Sequence, residues 1–371
     1  MAEATISPVR PQAGKPILTK ADQDVGATEN ALLLGIDLGT SRSSIVSMDG
    51  KRKTVESYVG YPKDPVSRKH LKADVVYGKQ ALDNRLSLDM YRPLENGVIK
   101  GSGDGDWSED LQKRNLAAAK ELLAHLVDEI EPGRDEVLYG VLGVPSRATT
   151  KNKQAILEIA KEVLDSVMIV SEPFSVAYGL GRMSDVLVID IGAGTTDLCR
   201  MHGTVPGDDD EISYPIAGDA VDQKLFELIM TKYPDVQLTV NMCKTIKEQY
   251  GFVSDARDKI EVLLPVNGKP TPFDVTTEVR EASSILVPPI VEGIVKLIST
   301  FNPEFQERLK QNIVLSGGGG QMDGLGKKIE DNLSAIGGGR VTVVEEPLYA
   351  GANGALQLAV DMPGEYWQQL R

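Results

Sequence analysis

The sequence is short of cysteine, histidine, aromatic residues and positive charge, and each shortage closes off a class of protein. Cys199 and Cys243 are its two cysteines, too few for a disulfide framework and in neither a CxxC nor a zinc-ligand spacing, which fits a reduced, cytoplasmic setting. His70, His125 and His202 show no metal-ligand spacing, and no Ser-His-Asp arrangement with a nucleophile elbow is visible. Aromatics make up 5% of the chain and no basic stripe accompanies them, so nucleic acid is not an expected partner. Against 40 Lys and Arg stand 54 Asp and Glu, a net charge of -14 that disfavours adhesion to nucleic acid or to an anionic membrane. No apolar run approaches the roughly 20 residues of a membrane span. The N-terminus lacks a signal-peptide core, so a soluble protein without direct membrane insertion is expected.

What is present is enough apolar material, 41% of 371 residues, to fill two lobes. Residues 1–30 carry Pro8, Pro11 and Pro16 with no apolar period and read as a mobile tail. The fold is expected to begin at Ala31, with a buried strand to Asp37 and then a hairpin turned at Asp49-Gly50. Residues 60–106 are polar and irregular, a small inserted subdomain plus a loop ending in Gly101-Ser102-Gly103-Asp104-Gly105. Helical periods over 108–131 and 151–164 then alternate with strands at 137–144, 167–170 and 185–191, an α/β pattern with helices around a mixed or parallel sheet.

The main organisational clue is an echo. Gly35-Ile36-Asp37-Leu38-Gly39-Thr40 recurs in altered form as Val188-Ile189-Asp190-Ile191-Gly192-Ala193-Gly194-Thr195, and 190 minus 37 places the second aspartate 153 residues after the first. In each copy an apolar strand delivers an acid to its carboxyl end, and glycine then turns the backbone so that N–H groups form an anion nest. Thr40, Ser41, Ser43 and Ser44 add hydroxyls to the first copy, Thr195 and Thr196 to the second. A single copy could be an ordinary turn beside a solvated acid. Two copies facing one cleft can grip a polyphosphate from both sides, and carboxylates near phosphates require a bridging cation such as Mg2+.

Between the copies, Pro173 opens a helix directly after a strand and places Glu172 at its start. That acid can orient a water or accept its proton, or it can simply favour the helix macrodipole. Lys244, Lys247 and Glu248 share a helix face, which in isolation is a solvated, salt-bridged face and in this context could hold a ribose and base. A strand at 312–316 runs into Gly317-Gly318-Gly319-Gly320, a third glycine turn that allows close backbone approach to a ligand.

These blocks, in this order, resemble the superfamily of actins, DnaK-type chaperones and sugar kinases from Ala31 to about Val360. The resemblance implies an actin-like ATPase fold, two duplicated RNase H-like lobes around a nucleotide cleft: residues 31–180, with an insertion at about 58–106, and 181–360, with one at about 220–280, before a C-terminal tail at 361–371. Arg92-Pro93-Leu94-Glu95-Asn96-Gly97-Val98-Ile99 is similar to a segment of bacterial actins. Val59-Gly60-Tyr61-Pro62-Lys63-Asp64, Gly203-Thr204-Val205-Pro206-Gly207 and Glu365-Tyr366-Trp367 resemble the magnetosome-aligning actins of magnetotactic bacteria.

What that family implies is an ATP-hydrolysing homopolymer, with magnetosome-associated adaptor proteins as partners. By the same resemblance Glu172 and Asp190 are catalytic, and Asp37, Asp190 and Glu172 hold Mg2+, largely through water. ATP is then held by Gly39, Thr40, Ser41, Gly192, Ala193, Gly194, Thr195, Gly218, Lys244, Lys247, Glu248 and the glycines 317–320. Asp197 departs from actin, which has a histidine there, and leaves the handling of the attacking water open. A cell-shape or plasmid-segregating actin and a small-molecule kinase are the alternatives. A DnaK-type chaperone would need a substrate domain after the nucleotide domain, and none is expected before Arg371.

Overall fold

The computed structural model describes residues 30–102, 107–255 and 258–370. The N-terminal segment expected as a tail, apart from Asn30, and residues 103–106 of the glycine- and acid-rich loop lie outside the described residues.

The first strand, β1 (Ala31–Leu38), is almost wholly buried, which suits its unbroken apolar run. β2 (Arg42–Ser47) and β3 (Arg52–Glu56) return antiparallel through a turn at Gly50, whose φ is 89°. β4 (Val59–Pro62), β5 (Val76–Tyr77) and β6 (Leu88–Tyr91) then form a separate three-stranded sheet, and β7 (Leu94–Glu95) and β8 (Val98–Ile99) a hairpin. This stretch was expected to be irregular. Strands of two to four residues are too short to display a period of two, so the regularity escapes a reading of the sequence.

The helix Glu109–Asp128 follows, its first turn capped by the Ser108 hydroxyl accepting from the Leu111 N–H and its apolar stripe of Ala118, Leu122 and Leu126 buried against the first core. β9 (Val137–Val144) and β10 (Ser166–Ser171) join parallel to β1, giving the order β10-β9-β1-β2-β3.

The second half repeats the plan. β11 (Ser184–Ile191), β12 (Thr196–His202) and β13 (Glu211–Tyr214) form an antiparallel meander. After the separate hairpin of β14 (Glu261–Val266) and β15 (Lys269–Asp274), β16 (Ile313–Ser316) and β17 (Val341–Val343) add in parallel, giving β13-β12-β11-β16-β17. Counted within each lobe, both sheets run third, second, first, fourth, fifth. The motif echo is thus an echo of topology, in a mixed α/β fold of two sheet-containing lobes.

Two helices tie the sheets together, Glu172–Gly179 and Ala350–Asp361. They cross so closely that a side chain at Gly354 would lie 1.7 Å from the Ser175 carbonyl oxygen, and β1 runs so near the second helix that one at Gly35 would lie 2.0 Å from that of Ala352. The expected C-terminal tail contains the helix Gly364–Gln369, because Trp367 is fully buried and stacks on Tyr139 of β9 with ring centroids 5.1 Å apart. By length and composition alone, the helical span Thr276–Ser299, 24 residues, would suffice to cross a membrane. Half of its most apolar window is buried, with Val279, Ile290, Ile294 and Leu297 in the core of the second lobe, which accounts for its composition.

Candidate functional site

Asp37 and Asp190 both line one cleft of about 570 Å³. Each sits near the end of its lobe's central strand: Asp37 lies between Ser44 of β2 and Gly143 of β9, and Asp190 between Asp197 of β12 and Ser316 of β16. Glu172 reaches the same cleft from the first turn of its helix, with Pro173 fixing the turn. Gly143 of β9 lies beside it, where a side chain would be in ordinary contact with the Glu172 Cγ at 3.4 Å.

Glu172 is buried, and Asp37 and Asp190 are half-buried in the cleft wall. Burial, with the charge of Asp190 added, pushes Asp37 up to about 7. Burial likewise pushes Asp190 up to about 6, with the Ser316 hydroxyl opposing and Asp197 assisting. Glu172 is raised well above the carboxylate range by burial and then by the charges of Asp37, Asp197 and Asp190. Asp197 is raised by burial, against the Thr195 and Ser213 hydroxyls and the Ser146 N–H, which donates to its Oδ1 at 3.0 Å. Three acids lining one cleft, with Asp197 buried beside Asp190, fit a hard divalent cation, whose charge would allow them to ionise together. Among the described residues no three His, Cys, Asp or Glu side chains are grouped closely enough to ligate an ion directly, so an ion here would keep water ligands.

The nests are built differently from the expectation in one respect. Ser41 lines the cleft, but Ser43 and Ser44 do not: the Ser43 hydroxyl pairs with that of Ser57 at 2.9 Å, and Ser44 donates to the Leu348 carbonyl at 2.8 Å. Thr40 keeps its hydroxyl at the cleft, where it accepts the Gly97 N–H at 2.7 Å. On the other side, the carbonyls of Gly192 and Ala193 accept the N–H groups of Gly218 and Asp219 at 3.1 and 2.7 Å. The helix Gly218–Lys232 therefore starts on the second nest. A side chain at Gly194 would meet the Asn96 Cα at 2.6 Å, so the turn of the β7–β8 hairpin is wedged between Gly194 and Thr40.

Lys244, Lys247 and Glu248 line the far end from the helix Val240–Tyr250. Lys247 is already engaged: its ammonium pairs with Asp222 Oδ1 at 2.7 Å and donates to the Gly218 carbonyl at 2.8 Å. Burial outweighs that pairing and holds Asp222 at about 6. Lys244 donates to the Ser41 hydroxyl at 2.6 Å, across the cleft.

Of the glycine run, Gly317, Gly318 and Gly319 line the cleft and Gly320 does not. A side chain at Gly317 would sit 2.4 Å from the Ile191 carbonyl oxygen, and one at Gly319 would sit 2.3 Å from the Ile191 Cγ2, so both serve close packing on Ile191. Only Gly318 has open space before it. Residues not singled out from the sequence also line the cleft, notably Arg42, Asp219, Asp222 and Gly351. Asp219 and Asp222 lie in an ordinary amphipathic helix, and nothing local marks them until the nest beneath that helix is known.

The chain is similar to known proteins along most of its length. The MreB/Mbl protein family matches residues 31–364. The actin-like protein MamK of Paramagnetospirillum magneticum is 40% identical over 345 residues, covering 93% of this chain and 97% of that protein. Among solved structures, a MamK double helical filament superposes with a TM-score of 0.85 at 40% identity, covering 90% of this chain and all of the other. A non-polymerising MamK mutant bound to AMPPNP superposes with a TM-score of 0.67 at 39% identity, covering 90% of this chain and 99% of the other.

Proposed function

This chain belongs to the MreB/Mbl protein family, and we propose that it is a magnetosome-aligning actin that binds and hydrolyses ATP and assembles into dynamic cytoplasmic filaments. It is an actin-like, filament-forming protein, as its likeness to MamK and to the MamK filament supports. The observation that carries the nucleotide reading is the convergence of two glycine nests and a helix-start acid on one cleft, together with the likeness to a MamK bound to AMPPNP.

On this reading the triphosphate lies between Gly39–Ser41 and Gly192–Thr195, with the adenosine toward Lys247, Glu248 and Gly317–Gly319. Asp37 and Asp190 would hold Mg2+ through water, and the ion would supply charge neutralisation to the phosphates. Glu172 orients the attacking water or takes its proton, and its burial restricts how the carboxyl can turn. Magnetosome-associated adaptors are the partners this reading calls for, since a chain of net charge -14 needs an intermediary to reach an anionic membrane.

Sedimentation of the purified protein with Mg-ATP, alongside phosphate release, tests the reading. Pelletable polymer with slow phosphate release is expected. A soluble monomer that phosphorylates a metabolite, or one without measurable affinity for a purine triphosphate, overturns it.

A further inference from the structure

We propose that Arg92 is a positioning residue that latches the cleft and sets the rate at which nucleotide enters and leaves; this rests on the nucleotide reading above. Arg92 follows β6 in the segment that joins the small three-stranded sheet to the β7–β8 hairpin. Its Nε donates to the Thr40 carbonyl at 2.9 Å, in the first nest. Its terminal nitrogen meets both oxygens of Asp219, at 3.0 and 2.8 Å. Asp219 in turn donates its own N–H to the Ala193 carbonyl, in the second nest. One guanidinium therefore connects the two phosphate loops through a single intervening residue.

Four residues further on, the Asn96–Gly97 turn touches the same two loops, at Gly194 and Thr40. The stretch Arg92–Gly97 is thus a strap fastened to both nests. The rival view is that Arg92–Asp219 is a partly exposed ion pair of little consequence, since such pairs alone contribute little. The added Nε bond argues otherwise: a planar fork with two fixed acceptors loses little further freedom on binding and discriminates against lysine.

The lobes cannot part without breaking either the Thr40 or the Asp219 contact. Because both contacts are made within the protein, they oppose nucleotide movement in both directions. Removing them should speed entry and exit together and move the equilibrium affinity much less.

Stopped-flow binding and release of a fluorescent ADP with Mg2+ tests this on the full chain. The wild type is measured first; no binding there overturns the nucleotide reading and this proposal with it. R92A and D219N are each expected to raise the release rate by about tenfold or more, the scale of losing charge-assisted hydrogen bonds, with association rising alongside. R92K, which keeps the charge without the fork, should fall between. The R92A/D219N double variant should release no faster than the faster single. Unchanged release in D219N, which preserves shape and so guards against a folding defect in R92A, overturns the proposal, as do additive single effects.

Discussion

Asp37 and Asp190 hold the same place in the two sheets, and the charge of Asp190 adds to the burial that lifts Asp37 to about 7. With Asp190 near 6, both acids bind protons in the folded protein at pH values where the unfolded chain, at the ordinary 3.8, has released them. Their contribution to stability is therefore full below about pH 4 and is lost progressively from there until pH has risen through 6 and 7. Asp37→Asn, neutral at every pH, should gain on the wild type in urea unfolding as pH rises from 5 to 8, by on the order of 1 to 3 kcal/mol. A stability difference that does not change between those two pH values contradicts the shift.

A cation that favours the ionised acids reverses the balance. Mg-ATP affinity should rise between pH 5 and 7.5, and binding should release protons. Calorimetry in buffers of different ionisation enthalpy measures that release. Its absence would mean that the acids are already ionised, or that no cation meets them.

Glu172→Gln keeps the volume of the side chain at the helix start and removes its capacity to take a proton. Phosphate release is expected to fall by about 10²-fold or more, with ATP-dependent polymer still forming but failing to turn over. Phosphate release at the wild-type rate removes Glu172 from the hydrolytic role.

Much of this architecture is legible in the residues themselves. Both central strands, both glycine turns and the helix start at Pro173 are written in short contiguous patterns, because each depends on local backbone chemistry. The Arg92–Asp219 link is not, since its partners are 127 positions apart and neither is unusual where it stands. Ser43 and Ser44 misled for the opposite reason: hydroxyls next to a nest look like ligands, but strand pairing and the close approach of Ser57 and Leu348 claim them. The small sheet was hidden by the brevity of its strands, and the docked C-terminal helix by its shortness, with Trp367 and Leu370 as its apolar contacts to the core. Asp197 stood out only as a departure from actin; the Ser146 N–H and the charges of its neighbours make it part of the acid cluster.

Charge sets an expectation for assembly. Copies bearing -14 repel one another at low ionic strength, where the Debye length is roughly 30 Å, and far less near 0.15 M, where it is about 8 Å. At fixed Mg-ATP, pelleted polymer should increase as monovalent salt is raised from 10 to about 150 mM. A monotonic loss of polymer over that range would show that complementary charges at subunit contacts outweigh the net repulsion.

Gly354→Ala tests whether the helix crossing beneath the cleft controls the site above it. The added methyl would fall 1.7 Å from the Ser175 carbonyl oxygen, and at the same crossing a side chain at Gly179 would lie 2.8 Å from the Gly354 Cα. Neither contact involves a flexible side chain, so the backbones of Glu172–Gly179 and Ala350–Asp361 must separate. Overpacking of this kind costs about 1 to 3 kcal/mol, seen as a lower urea midpoint. Because Glu172 is the first residue of the displaced helix, phosphate release per bound nucleotide should also fall while ATP affinity, which the proposed reading assigns to the glycine turns, changes less. A variant that loses stability yet hydrolyses bound ATP at the wild-type rate would show that the position of Glu172 is fixed by β10 and Pro173 alone, and that the crossing serves the core without guiding the chemistry.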